Sequence, residues 1–168
     1  MSSGIYVNIS LDPFLQAFLR GYFRNDDIIF SFPRESRKNY LPGVLKFCVD
    51  YPPADYEPRN FGKTEFKIEL PQWSDKDPFS QNYLSKRANI EFENAVKEFY
   101  YPIFYANMNE ARSVGLRGPS AVSIFMDRYK IPEDFSDRLK RDYTRFCNYI
   151  AGRKHLEKRK KMNEKISI

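Results

Sequence analysis

The hydrophobic residues of this chain repeat with one period in its first half and another in its second, and that change restricts the fold more than any other feature. Ile5, Val7, Ile9 and Leu11 alternate with Tyr6, Asn8 and Ser10, and Phe66, Ile68 and Leu70 alternate with Glu65, Lys67 and Glu69. A period of two sends successive side chains to opposite faces of a strand. Further on, Phe135, Leu139, Tyr143, Phe146 and Ile150 step by four, four, three and four, the spacing that lines one face of an α-helix. Strands followed by helices predict an α+β fold, with a few-stranded, mostly antiparallel sheet from the N-terminal half packed by C-terminal helices.

The expected elements follow from the same patterns and from turn residues. Asp12-Pro13 caps a helix that carries Phe14, Leu15, Phe18, Leu19 and Tyr22 on one face. Asn25-Asp26-Asp27 reads as a turn. Ile28–Phe32, Val44–Val49 and Thr64–Leu70 read as strands, and Pro52–Gly62 as a long surface loop. A helical pattern starts near Ser80 and runs to about Tyr101, where Pro102 kinks or breaks it. Ile103–Ala111 reads as a short following helix. Ser120–Tyr129 reads as another, and the last helix starts at Glu133-Asp134. Gly152 marks the expected end of core packing, which divides the chain into a single α+β domain, 1–151, and a basic C-terminal extension, 152–168.

At 168 residues the chain is long enough for a packed core without staples, and 15 Phe and 12 Tyr supply large rings for it. The longest apolar run, Phe99 to Ala106, contains Pro102 and falls far short of the about 20 residues a membrane-spanning helix needs. Met1-Ser2-Ser3-Gly4 lacks the basic start and apolar stretch of a secretory signal. Cys48 and Cys147, each beside large apolar residues, read as reduced core cysteines rather than a disulfide or metal framework. These readings predict a cytoplasmic protein that does not bind membranes.

Charge is unevenly spread. From Ser136 to Ile168 there are eleven Lys or Arg against four Asp or Glu, while the rest of the chain is close to neutral. The last helix would present Arg138, Lys140, Arg141 and Arg145 near the body. Arg153, Lys154, Lys158, Arg159, Lys160 and Lys161 follow beyond Gly152. Lys and Arg that neutralise phosphates release counterions and so give sequence-independent affinity for nucleic acid. A solvated, solubilising terminus has the same composition.

Other chemistry is weakly represented. The pair Ser120–Tyr129 and Glu133–Ile150, joined by a short turn, is compatible with a helix-turn-helix whose exposed face carries Arg138, Lys140, Arg141, Arg145 and Asn148, with Arg and Asn able to pair with base edges. An ordinary helical hairpin explains the same pattern, and the turn lacks the motif's frequent glycine. The strand–helix unit at Ile5–Tyr22 would present Tyr6, Asn8 and Ser10 if it read DNA as a ribbon, but no cation stands among them. Glu65 and Lys67, with Asp50 or Asp55, loosely match a metal-dependent nuclease pattern, and equally any solvated strand face. The lone histidine, His155, sits in the basic extension, so triad schemes have no placed base. No phosphate-loop or dinucleotide fingerprint occurs. No catalytic residue, metal site or cofactor is expected. Tyr51, Tyr56 and Trp73, near loops, are the rings best placed to stack on bases or on a protein partner.

The layout of Ile5–Leu11, the middle segment with Leu41-Pro42-Gly43 and the helical Ala121–Phe146 stretch resembles small proteins of no assigned activity carried by Bacteroidetes phages and mobile elements. The resemblance implies a part in phage or mobile-element DNA transactions, or in the virion, and transfers no site residue. The expected function is a non-enzymatic nucleic-acid-binding accessory or regulatory protein, with DNA ahead of RNA as partner and the host-cell interior as its location. The alternative is an assembly protein that works through protein–protein contacts.

Overall fold

A computed structural model of the chain describes residues 4–36, 40–55, 65–73 and 75–166, with the backbone alone for 154, 155 and 157–166. The fold is α+β, as the change of period predicts. The chain gathers into two compact units, Met1–Ile103 with Arg128–Ile131, and Phe104–Asp127 with Pro132–Ile168.

The first unit is built on three strands, β1 (Tyr6–Ser10), β2 (Ile29–Phe30) and β3 (Glu65–Glu69), in the order β1-β3-β2. The sheet is mixed. β1 runs antiparallel to β3, with Val7 opposite Ile68 and Ile9 opposite Phe66, while the short β2 runs parallel to β3. The alternation works as expected: Val7, Ile9, Phe30, Phe66 and Ile68 are buried on one face, while Glu65, Lys67 and Glu69 lie on the other.

Helix α1 (Pro13–Phe23) follows β1 directly. The Asp12 side chain accepts a hydrogen bond from the Phe14 N–H at 2.9 Å, and Pro13 starts the helix. Phe14, Leu15, Phe18 and Leu19 are fully buried, each stabilising by about 2 kcal/mol relative to exposure. Phe23 meets Phe30 of β2 with ring centroids 5.9 Å apart, which seats α1 on the sheet. Phe14 and Phe18 each meet Tyr100 edge-on at 5.1 Å. Tyr100 belongs to helix α3 (Lys86–Ser113), so a C-terminal helix packs this core. The same helix secures β1: the Asn89 side chain accepts from the Ser10 N–H at 2.9 Å and donates to the Ser10 carbonyl at 2.8 Å. It makes the two bonds a neighbouring strand residue would make to this edge strand.

Three expectations are corrected. Val44–Val49 is not a strand. It lies within helix α2 (Tyr40–Cys48) and the residue after it, where Leu41, Leu45 and Cys48 are buried and Phe47 is 86% exposed. Steps of four and three decide the structure, and Pro42 is tolerated in the first turn. The helical pattern does not begin near Ser80. Residues up to Ser85 are extended or turned, with Tyr83 bridging to Asp50, and the Ser85 hydroxyl accepts from the Ala88 N–H to start α3 at Lys86. Finally, Pro102 does not end that helix, and Ile103–Ala111 is its continuation.

In the second unit α3 continues from Phe104, followed by α4 (Pro119–Tyr129) as far as Asp127, a 3-10 turn at Glu133–Phe135 and α5 (Ser136–Ile166). Phe104, Met108, Val122, Phe125, Leu139 and Phe146 form its buried core. Phe104 meets Phe125 edge-on at 5.1 Å, and Tyr105 lies 5.5 Å from Phe146.

Candidate nucleic-acid interface

Helix α5 has one buried face and one charged face. The stripe expected from spacing is the buried one: Leu139 and Phe146 are inaccessible, while Tyr143 and Ile150 are half-buried. Asp142 lies on it too, 2% exposed, and accepts from Arg145 Nη1 at 2.9 Å. Beyond Phe146 every described side chain of the helix is half-buried or exposed. The backbone nevertheless stays helical to Ile166. From Gly152 onward this is a rod of about 22 Å at 1.5 Å per residue.

The proposed contact residues are not equivalent. Arg141 is exposed, and Arg138 is half-buried. Lys140 is exposed and pairs with Asp137 at 3.0 Å. Arg145 is 65% exposed but tied to Asp142. Arg153 is exposed and lies 6.0 Å from the Tyr149 ring. The side chains of Lys154, Lys158, Arg159, Lys160 and Lys161, like that of His155, lie outside the described residues. In the α4–α5 connection, Lys130 takes a left-handed φ of 50°, which is the conformation a turn glycine would supply.

The other sequence candidates separate cleanly. Lys67 stands 5.1 Å over the Tyr6 ring, on the solvent side of β3. Asp50 is engaged through its backbone with Tyr83. Among the described residues no group of three or more His, Cys, Asp or Glu is placed to hold a metal ion. Tyr51 and Trp73 line one open groove of about 630 Å³ together with Phe79, Asp75, Lys76 and Asp77. Tyr56 lies outside the described residues. Lys76 is spent on structure: its ammonium donates to the Lys46 carbonyl at 2.6 Å and to the Val49 carbonyl, closing the end of α2. Lys46 pairs with Asp75, and this contact holds the Asp75 carboxyl below the usual carboxylate range.

A basic hollow of about 260 Å³ in the first unit was not foreseen. Arg20, Gly21, Arg24, Asp26, Arg128 and Lys130 line it. Arg20 and Arg24 end α1; Arg128 and Lys130 end α4. The two pairs meet because Gly21 has no side chain: a β-carbon there would overlap the Tyr129 carbonyl. Gly21 was the available signal, since a glycine inside an amphipathic helix points to close backbone approach. The cations themselves stand roughly a hundred residues apart along the chain, and local spacing does not connect them.

No protein-family model matches the chain, and neither does any curated protein or solved structure. No helix among the described residues is long and apolar enough to cross a membrane.

Proposed function

We propose that the chain is a non-enzymatic nucleic-acid-binding accessory or regulatory protein, of the kind that serves phage or mobile-element DNA inside the host cytoplasm. The observation that carries this reading is the persistence of α5 as a helix past Phe146, the last buried side chain among the described residues, through a segment in which six of the nine residues from Arg153 to Lys161 are cationic. A helix holds such charges in a regular array, and an array of Lys and Arg along a helix suits the groove or backbone of a duplex. Arg141, exposed on the same helix, extends the array towards the folded body.

The test is fluorescence anisotropy of labelled duplex DNA and RNA with the full chain. Beside it stands a variant with Lys154, Lys158, Arg159, Lys160 and Lys161 replaced by Gln. Binding by the full chain and weakening of at least tenfold in the variant support the reading. Equal affinities oppose it.

A second reading, an assembly protein, is favoured by the groove between Tyr51, Trp73 and Phe79. Tyr51 is 62% and Phe79 72% exposed, and among the described residues the groove is lined by two carboxylates and one lysine, which is structurally engaged. Aromatic side chains without free cations suit a protein partner better than phosphate. Oligomerisation or partner binding that is insensitive to salt and lost in Phe79→Ser would support this reading.

A further inference from the structure

We infer that the hollow lined by Arg20, Arg24, Arg128 and Lys130 is a phosphate-binding site, distinct from the charged face of α5 and independent of the reading given to that helix. Four cations and one carboxylate, Asp26, surround a space of about 260 Å³, which is ample for a phosphate or diphosphate group with some of its water. The Arg20 guanidinium is already oriented: it donates to the Asp27 and Ile28 carbonyls and stands 5.1 Å over the Phe66 ring. A fork fixed in this way loses little freedom when its remaining N–H groups engage an anion.

The competing explanation is that these cations merely complement helix C-termini, where the partial charge is negative. It accounts for Arg20 and Arg128, which lie in last turns. It also covers the charge of Arg24 and Lys130, which close those helices, but not their backbone conformation. Both are in the left-handed region, at φ 52° and 50°, where glycine or asparagine sits with less strain and caps a helix as well. Both are exposed, and neither makes an ion pair among the described residues. Long cationic side chains held at two strained positions, facing one hollow, are accounted for by what they bind there.

The shared chemistry is a phosphate group, which a free diphosphate or a nucleic-acid backbone can supply. The test uses the full chain and the double variant Arg24→Gly, Lys130→Gly. Glycine removes both charges while keeping the left-handed turns, so folding is expected to be intact; Arg24→Asn, Lys130→Asn is the companion should the glycine variant unfold. Titration with inorganic pyrophosphate is followed by calorimetry at constant ionic strength, and labelled duplex DNA by anisotropy across a salt series. Pyrophosphate binding by the wild type that weakens at least about tenfold in the variant, as loss of two charge-assisted contacts requires, assigns the site to a free phosphate ligand. DNA binding alone, with the variant's salt slope shallower by about two, assigns it to a nucleic-acid backbone. If wild type and variant behave alike towards both ligands, the inference is overturned and the cations serve the helix ends only.

Discussion

Gly21 and Tyr129 meet backbone to backbone. The Tyr129 carbonyl occupies the place where any other residue at position 21 would carry its β-carbon, and Tyr22 stacks on the Tyr129 ring at 5.9 Å beside the contact. This approach brings the basic ends of α1 and α4 to one hollow.

The approach predicts the sign of a substitution that helix propensity gets backwards. Alanine in a helix interior is ordinarily better than glycine by about 1 kcal/mol. Here Gly21→Ala forces backbone apart and is expected to destabilise by about 2–3 kcal/mol. Denaturant unfolding of the two proteins decides between the signs.

Asn89 completes the edge of β1 through both hydrogen bonds to Ser10. Removing it in Asn89→Ala leaves the Ser10 N–H and carbonyl without these partners, at an expected loss of about 2 kcal/mol. Asn89→Asp keeps the acceptor and removes the donor, so it should fall between the two. Amide hydrogen exchange at Ser10 should quicken in Asn89→Ala and change less in Asn89→Asp, which keeps the acceptor of the Ser10 N–H.

These residues also show what local pattern can and cannot reveal. β1, β3, α1 and the buried stripe of α5 were legible because each repeats cleanly with one period. The segment Val44–Val49 has apolar residues at almost every position, and only the burial of Leu41 and Leu45 against the exposure of Phe47 tells helix from strand. Tyr83 and Leu84 fit a helical spacing but belong to an extended segment bridged to Asp50. Charge composition pointed to α5, yet not to the pairing of Arg145 with Asp142. The basic hollow depends on tertiary approach, for which Gly21 alone left a trace.

Cys48 offers a titration test. Burial pushes its thiol up, Glu91 adds to the shift and Lys76 opposes it. The folded chain therefore keeps the proton at pH values where the unfolded chain has begun to lose it. The stability this contributes is complete below the ordinary thiol range and is lost as pH rises through and above it. Denaturant midpoints should fall in that alkaline window, and less steeply in Cys48→Ala. Alkylation of Cys48 near neutral pH should be slow until denaturant is added.

The cations of α5 should divide by their partners. Arg145→Ala removes an ion-pair partner from the buried Asp142 carboxylate and is expected to cost about 1 kcal/mol of stability, the pair being open to solvent on its arginine side. Arg141→Ala should change stability by less than about 0.5 kcal/mol and instead weaken nucleic-acid binding. Paired unfolding and anisotropy measurements separate the two effects.

The central claim is that α5 presents its charge to nucleic-acid phosphates, and the salt dependence of binding tests it most directly. The logarithm of the association constant for duplex DNA, plotted against the logarithm of salt concentration, should fall steeply for the full chain. Replacing Lys154, Lys158, Arg159, Lys160 and Lys161 with Gln should make the slope shallower by up to about 0.9 per lost phosphate contact. Absence of binding at low salt, or a slope unchanged by these replacements, would contradict the account.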